Sequence, residues 1–125
     1  MKKIINTEKA PKPIGPYNQA VMAGNTLYIS GQIPLNPATG ELVKGDVKEQ
    51  TRMVMENLKA VLTEAGLNFS NVVKCSIFIS DMKDFPLINE VYGGYFTADP
   101  PARETVQVAG LPMGVDVEIS CIAVV

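Results

Sequence analysis

One long amphipathic segment limits how this chain can fold. After Asp46, apolar side chains recur with the period of an α-helix until Gly66. The recurring positions are Val47, Thr51, Val54, Leu58, Val61, Leu62 and Ala65. Asp46 is a suitable N-cap, Glu49 occupies the capping-box position, and a glycine just past the last periodic residue is typical of a helix end. The sequence therefore predicts a helix long enough to cross a small sheet.

Strand-like segments lie on both sides of this helix. Residues 2–7, 17–23 and 26–32 precede it, and the turn at Gly24-Asn25 predicts a hairpin between the second and third segments. Residues 72–80 follow the helix and alternate between two faces. The apolar face of this strand comprises Val73, Cys75, Ile77 and Ile79. Together these segments predict several strands that pack against one helix.

A second helix and two further strands complete the chain. Asp84 is the predicted cap of this helix, Pro86 lies in its first turn, and the run 99–101 ends it. Its apolar stripe, interpreted as core packing, consists of Phe85, Ile88, Tyr92 and Phe96. The two final strands carry Arg103 and Glu118, and glycines and a proline in residues 110–114 predict the turn between them.

The order of elements predicts a single α+β domain over residues 1–125, with one mixed sheet of about six strands and both helices on one face. A right-handed crossover through the first helix would make its flanking strands parallel neighbours. We assign to the opposite sheet face Phe78, Val106, Val108, Ser76, Arg103 and Thr105. A face too apolar for water and too polar for a core predicts an interface in a homo-oligomer.

Composition narrows the classes of function. The net charge of −2 does not favour a broad basic surface for nucleic acid. Apolar runs are too short for a membrane span or a secretory leader, which predicts a cytoplasmic protein with no membrane partner. The chain has no histidine, which excludes His-based triads and histidine metal sites. Cys75 and Cys121 are not spaced as metal ligands and are interpreted as buried small side chains.

Arg103 and Glu118 stand out because they lie in otherwise strand-like segments. Arg103 shares one pleated face with Thr105 and Gln107. A guanidinium at a strand end is suited to bind a carboxylate or phosphate, and a carboxylate on the next strand is a candidate proton shuttle. The alternative interpretation is that both residues are simply exposed to solvent on the sheet face or form an ion pair with each other.

Five motifs are spread along the chain in a fixed order. They are Gly15-Pro16-Tyr17-Asn18-Gln19-Ala20, Ser30-Gly31-Gln32, Asn89-Glu90-Val91-Tyr92, Pro101-Ala102-Arg103, and Leu111-Pro112 followed by Val117-Glu118-Ile119. In this order they resemble the YjgF/RidA family of small enamine/imine deaminases, and the resemblance runs from one end of the chain to the other.

The resemblance implies a chorismate-mutase-like α+β fold and a homotrimer whose sheets form a barrel-like core, with clefts between neighbouring subunits. It implies hydrolytic deamination of 2-aminoacrylate and 2-iminobutanoate, which pyridoxal-phosphate enzymes release from serine or threonine. The products would be pyruvate or 2-oxobutanoate, plus ammonia. The expected activity is that of a 2-iminobutanoate/2-iminopropanoate deaminase, with neither a cofactor nor a metal.

The resemblance also implies roles for individual residues. Arg103 would bind the substrate carboxylate through two parallel hydrogen bonds, and Glu118 would activate water as the acid/base. Tyr17 would orient the water or the leaving ammonia. Ser30 and Gly31 would line the pocket, with a backbone N–H that reaches the carboxylate. Asn89 would contact the residues that bind the substrate and not the substrate itself.

Thr105 departs from the family pattern, because many members have a cysteine two residues after the arginine. Thiol-dependent behaviour is therefore in doubt, whereas hydrolysis needs no thiol and can use the Thr105 backbone amide. Two other functions remain open: a non-catalytic sensor of 2-oxo acids on the same trimer, and RNA cleavage or inhibition of translation. The absent histidine and the lack of a basic, aromatic-rich stripe count against RNA cleavage.

Overall fold

The computed structural model describes residues 1–125 and contains one six-stranded mixed sheet and two α-helices. The strands are β1 (Lys2–Ile5), β2 (Ala20–Ala23), β3 (Thr26–Gln32), β4 (Val72–Ile79), β5 (Ala102–Gln107) and β6 (Val117–Val124). The helices are α1 (Val47–Glu64) and α2 (Phe85–Gly93). The predicted α+β architecture is confirmed, and neither helix has the length and apolarity that a membrane span requires.

The sheet order is β1-β2-β3-β6-β4-β5. β6 pairs antiparallel with both β3 and β4, so it separates two strands that the sequence predicted to be neighbours. The parallel pair is instead β4 and β5, which are connected through α2. Because β3 and β4 are both antiparallel to β6, they run parallel to each other and are connected through α1 as predicted, but they are not neighbours. The predicted hairpin of the last two strands is wrong, because β5 and β6 do not pair. Local patterns identify strands, but they carry no information on which of two compatible neighbours a strand will pair with.

The helix-facing side of the sheet forms the core with α1 and α2. Leu58 of α1, Ile77 of β4 and Ile119 of β6 are completely buried there. Burial of each such side chain contributes roughly 1.5–3 kcal/mol to folding. Cys75 and Cys121 are register partners in this core, and both are free and buried as expected.

Helix α1 begins and ends close to the predicted residues. The Asp46 carboxylate accepts a 2.9 Å hydrogen bond from the Lys48 backbone N–H, and Gly66 adopts a φ of 77° just beyond the C-terminus. Glu49 forms an ion pair with Arg52 and makes no reciprocal capping bond. The sequence pattern therefore located the helix but not the partner of Glu49.

Helix α2 differs more from its prediction. Asp84 makes no capping hydrogen bond; Asp81 caps the preceding 3₁₀ turn by accepting from the Lys83 backbone N–H at 3.0 Å. The helix ends at Gly93, well before the predicted stop at residues 99–101. Phe96 still packs against Tyr92, with ring centroids 4.9 Å apart, although it lies beyond the helix. A stripe of apolar residues does not distinguish a continuing helix from a chain that turns back onto the same core.

Two assignments of residues to sheet faces also change. A register irregularity between Val72 and Lys74 buries Val72 and turns Val73 outward, where it is 44% exposed. Arg103 and Thr105 are register partners of the core residues Cys75 and Ile77, so they lie on the helix face and not on the outer face. The outer face does carry exposed apolar side chains, among them Ile4, Tyr28, Val73 and Val106.

The Gln19 side chain organises the irregular segment between β1 and β2. Its Nε2 donates to the carbonyl oxygens of Thr7, Ala10 and Pro11 at 2.9, 3.2 and 2.9 Å. Its Oε1 accepts from the Thr7 backbone N–H at 2.6 Å. These bonds satisfy backbone groups that no strand pairs. The ladders of β2 begin only after this residue, at Ala20 and not at the predicted Tyr17.

We expect Gln19→Ala to lower the free energy of unfolding by about 2–4 kcal/mol, because it leaves several backbone groups without partners. Chemical denaturation measures the loss. The matched control is Gln107→Ala, which removes an exposed glutamine whose Oε1 accepts one bond from the Met82 backbone N–H. Equal losses in the two variants would contradict the organising role of Gln19.

Candidate functional site

Glu118 lies on the outer face of β6, against a strand irregularity that exposes Gly31. The register of β3 with β6 shifts between Ile29 and Gln32, which leaves Ser30 and Gly31 outside the regular ladder. A Cβ atom at position 31 would overlap Glu118 Oε2 and would lie 2.8 Å from its Cδ. Glycine is therefore required for the carboxyl group to occupy this place. Burial raises the pKa of the half-buried Glu118 carboxyl.

A pocket of about 380 Å³ opens in front of this carboxyl group. We call it the Glu118 pocket; its lining residues are Ile14, Tyr17, Ser30, Gly31, Ile33, Pro112 and Glu118. Ile14, Ile33 and Pro112 form its apolar wall, and they were not identified from the sequence. A small ligand with one polar end and one short alkyl end fits such a pocket.

Tyr17 and Ser30 are held at the pocket by local hydrogen bonds. The Tyr17 hydroxyl accepts from the Ile14 backbone N–H at 3.4 Å, so its own proton is available to a ligand. The Ser30 hydroxyl donates to the Asn18 carbonyl oxygen at 2.7 Å. Ser30 can therefore still accept a hydrogen bond from a ligand through Oγ, but its proton is already in use.

Arg103 lies on the opposite side of the sheet and contacts α2. Its Nη1 donates to Asn89 Oδ1 at 2.7 Å. Its Cζ is 5.2 Å from the ring centroid of Phe85 and 5.1 Å from that of Tyr92. We call these four residues the Arg103 clamp. The predicted supporting position of Asn89 agrees with this geometry, whereas Phe85 and Tyr92 were interpreted only as core residues.

Thr105 is also on the helix face, two residues after Arg103. Its Oγ1 is buried and has no hydrogen-bond partner within the chain. The Tyr92 hydroxyl is buried too, and burial, followed by its interaction with the Cys75 thiol, raises its pKa. Thr105 therefore belongs beside the Arg103 clamp and not beside Glu118.

The two groups of residues cannot act on one small ligand within a single chain. Glu118 and Val106 are both register partners of Phe78, so all three side chains point to the outer face. Arg103 is three residues before Val106 and therefore points to the opposite face. Tyr17, Ser30, Gly31 and Glu118 line one pocket. Arg103, Asn89 and Thr105, which the sequence assigned to the same site, lie on the other side of the sheet.

Other surface features are a groove along α1 and scattered acidic side chains. A larger groove, of about 480 Å³, runs along α1 near Lys9, Met53, Asn57 and Lys59. No group of three or more His, Cys, Asp or Glu side chains is arranged to hold a metal ion. The Glu118 pocket and the Arg103 clamp are therefore the two candidate half-sites.

Comparison with known proteins places this fold in a class of small α+β proteins. Residues 7–125 match the family described as Endoribonuclease L-PSP. The chain belongs to this family, which is also called the YjgF/RidA family, so the resemblance seen in the sequence is confirmed.

Individual relatives agree with this membership. Protein DfrA of Myxococcus xanthus is 60% identical over 125 residues, which cover 98% of this chain and 95% of that protein. The mouse 2-iminobutanoate/2-iminopropanoate deaminase is 49% identical over 99% of this chain and 92% of its own length. A crystal structure of the Rid-family protein YyfA from Yersinia pestis superposes with a TM-score of 0.98, at 47% identity and 100% coverage of both chains.

We expect Gly31→Ala to displace the Glu118 carboxyl group, because the new methyl group takes its place. The pKa of Glu118 should then fall towards its ordinary value as the group moves into water, and the free energy of unfolding should decrease by roughly 1–3 kcal/mol. NMR titration of the carboxyl carbon and chemical denaturation measure the two effects. Gly110→Ala is the control, since a Cβ there meets no atom within 4 Å. An unchanged Glu118 pKa in Gly31→Ala would refute the steric argument.

Proposed function

We propose that this protein hydrolyses reactive enamine and imine intermediates, such as 2-aminoacrylate and 2-iminobutanoate, to 2-oxo acids and ammonia. The observation that carries the proposal is the combination, in one small chain, of a guanidinium without an acidic partner and a half-buried carboxyl group with a raised pKa in a small pocket. The deaminase name of the mouse relative supports the same activity.

Arg103 would bind the substrate carboxylate. A guanidinium offers five N–H donors, and only one of them is engaged, by Asn89. The remaining donors can hold a carboxylate through two parallel, charge-assisted hydrogen bonds. The Thr105 backbone amide, two residues further along β5, is a second candidate donor to the same carboxylate.

Glu118 would transfer the protons. As a base it removes a proton from a water molecule, whose oxygen attacks the imine carbon while the C=N electron pair moves to nitrogen. Glu118 returns this proton to nitrogen, which gives a carbinolamine. Glu118 then takes the proton of the new hydroxyl group and delivers it to the amino nitrogen, so that the C–N bond breaks and ammonia leaves as the C=O bond forms. An enamine substrate first takes up a proton at its terminal carbon to become the imine. Tyr17 would orient the water or the departing ammonia through its free hydroxyl proton.

We propose that the working form is a homotrimer in which the two half-sites meet across a subunit boundary. Because side chains alternate between the two faces along each strand, the Glu118 pocket and the Arg103 clamp lie on opposite faces of one sheet. The outer face also exposes Tyr28 and Val106 by 51% and 40%, and a neighbouring copy would cover them.

The family description includes an endoribonuclease, but the net charge of −2 does not favour RNA as the substrate.

The direct test generates 2-aminoacrylate with a serine dehydratase and follows pyruvate release. We expect Arg103→Ala to lower kcat/KM by roughly a hundredfold or more, because two charge-assisted hydrogen bonds are lost. The matched control is Arg52→Ala, an exposed arginine of α1 that pairs with Glu49. If the wild-type protein binds 2-oxo acids in calorimetry but does not speed pyruvate release, the function is that of a sensor. If Arg103→Ala is as fast as wild type, the proposed carboxylate site is wrong.

Complementation tests whether the site spans two subunits. Arg103→Ala and Glu118→Gln chains each lack one half of the site, so each is expected to be inactive alone. Trimers refolded from an equal mixture should recover about a quarter of wild-type activity, because a quarter of the boundaries pair two intact halves. Sites contained within single chains would give no recovery.

A further inference from the structure

The face of α2 that meets β5 has a regular arrangement around Arg103. Phe85, Asn89 and Tyr92 are separated by four and three residues, so they lie on one side of the helix. The two aromatic residues are about 10.5 Å apart along the axis, as expected for seven residues. The guanidinium carbon is nearly equidistant from their ring centroids, at 5.2 and 5.1 Å. The cation therefore sits between two ring faces, with the Asn89 amide oxygen between them.

We propose that Phe85 and Tyr92 are positioning residues that fix the Arg103 guanidinium and thereby set the preference for carboxylate-bearing ligands. Each ring attracts a cation placed over its face within about 6 Å of its centroid. The rings orient the plane of the guanidinium without accepting its strong hydrogen bonds. The proposal rests on the carboxylate-binding role of Arg103 under the proposed function.

The charge balance around Arg103 supports this role. Arg103 forms no ion pair within the chain. The adjacent acid, Glu104, points to the other face, where it pairs with Lys74 at 2.9 Å and with the Ser76 hydroxyl. A carboxylate partner for Arg103 would compete with a ligand for both its charge and its donors. Aromatic faces hold the side chain in place and leave its full charge and most of its N–H groups for the ligand.

Tyr92 contributes its ring to this arrangement. It is only 4% exposed, and its ring packs against Phe96 and contacts Arg103. Phe85 is less buried than Tyr92 and is the better position for a test, because a smaller apolar side chain there disturbs less of the core.

The test compares Phe85→Leu with the wild-type protein. KM is measured for 2-iminobutanoate, and Kd for 2-oxobutanoate is measured by calorimetry. We expect both constants to rise about three- to tenfold, the range of one moderate cation–π contact, while kcat stays within about twofold. Phe85→Tyr restores an aromatic face and should restore both constants. For an imine whose carboxylate is replaced by an amide, KM should be the same in Phe85→Leu and in wild type.

Phe69→Leu is the matched control, because Phe69 packs against Tyr95 and Phe96 and makes no contact with Arg103. If Phe85→Leu does not fold, Phe85→Met provides the same comparison. The proposal is overturned if Phe85→Leu leaves Kd unchanged, or if it lowers kcat at constant KM.

The calorimetry also separates this proposal from the proposed function. A wild-type protein that binds 2-oxobutanoate without catalysing hydrolysis would defeat the proposed function, and the Kd comparison would still decide the role of Phe85. A wild-type protein that catalyses hydrolysis while Phe85→Leu binds equally well would defeat only the positioning role. A wild-type protein that neither binds 2-oxo acids nor speeds pyruvate release would overturn both.

Discussion

The backbone ladders that β6 forms with β3 and β4 are the constraint on which the rest of the structure depends. The last strand of the chain inserts between β4, which precedes it by about a third of the sequence, and β3, which precedes it by about three quarters. The β1-β2-β3 and β4-β5 parts of the sheet are therefore joined only through β6. One face of β6 completes the core through Ile119 and Cys121. The other face carries Glu118, so the same pairing that closes the fold also fixes the carboxyl group.

The alternation of side chains along a strand then has a functional consequence. Register partners share a face, and this places Glu118 with Phe78 and Val106 while Arg103 faces α2. A shift of one residue in the β4–β5 pairing would reverse the placement of Arg103. The chain therefore carries one candidate half-site on each side of its sheet. In the proposed trimer, unlike halves would meet and the apolar outer face would be covered, so stability and activity would share one interface.

The sequence was most informative where a signal is local. The period and caps of α1 predicted its bounds nearly to the residue, and the alternation of β4 identified the core face from Cys75 onward. It failed where the outcome depends on distant partners. Val73 points outward because of an irregularity in the β4–β6 pairing, and the Gln19 side chain binds carbonyl groups from a loop about ten residues earlier. Neither effect leaves a mark in the neighbouring residues.

The sequence by itself determined the family, the α+β class and the identity of most chemically useful side chains, because motifs and periodicity are properties of consecutive residues. Only the tertiary structure decided how those side chains are grouped. β6 lies between β3 and β4 and forms no hairpin with β5. Arg103 and Glu118 point to opposite faces of the sheet. Two aromatic residues of the α2 stripe contact the Arg103 guanidinium. The physical reason is that strand pairing is a long-range choice, and its register sets the direction of every side chain along the strand.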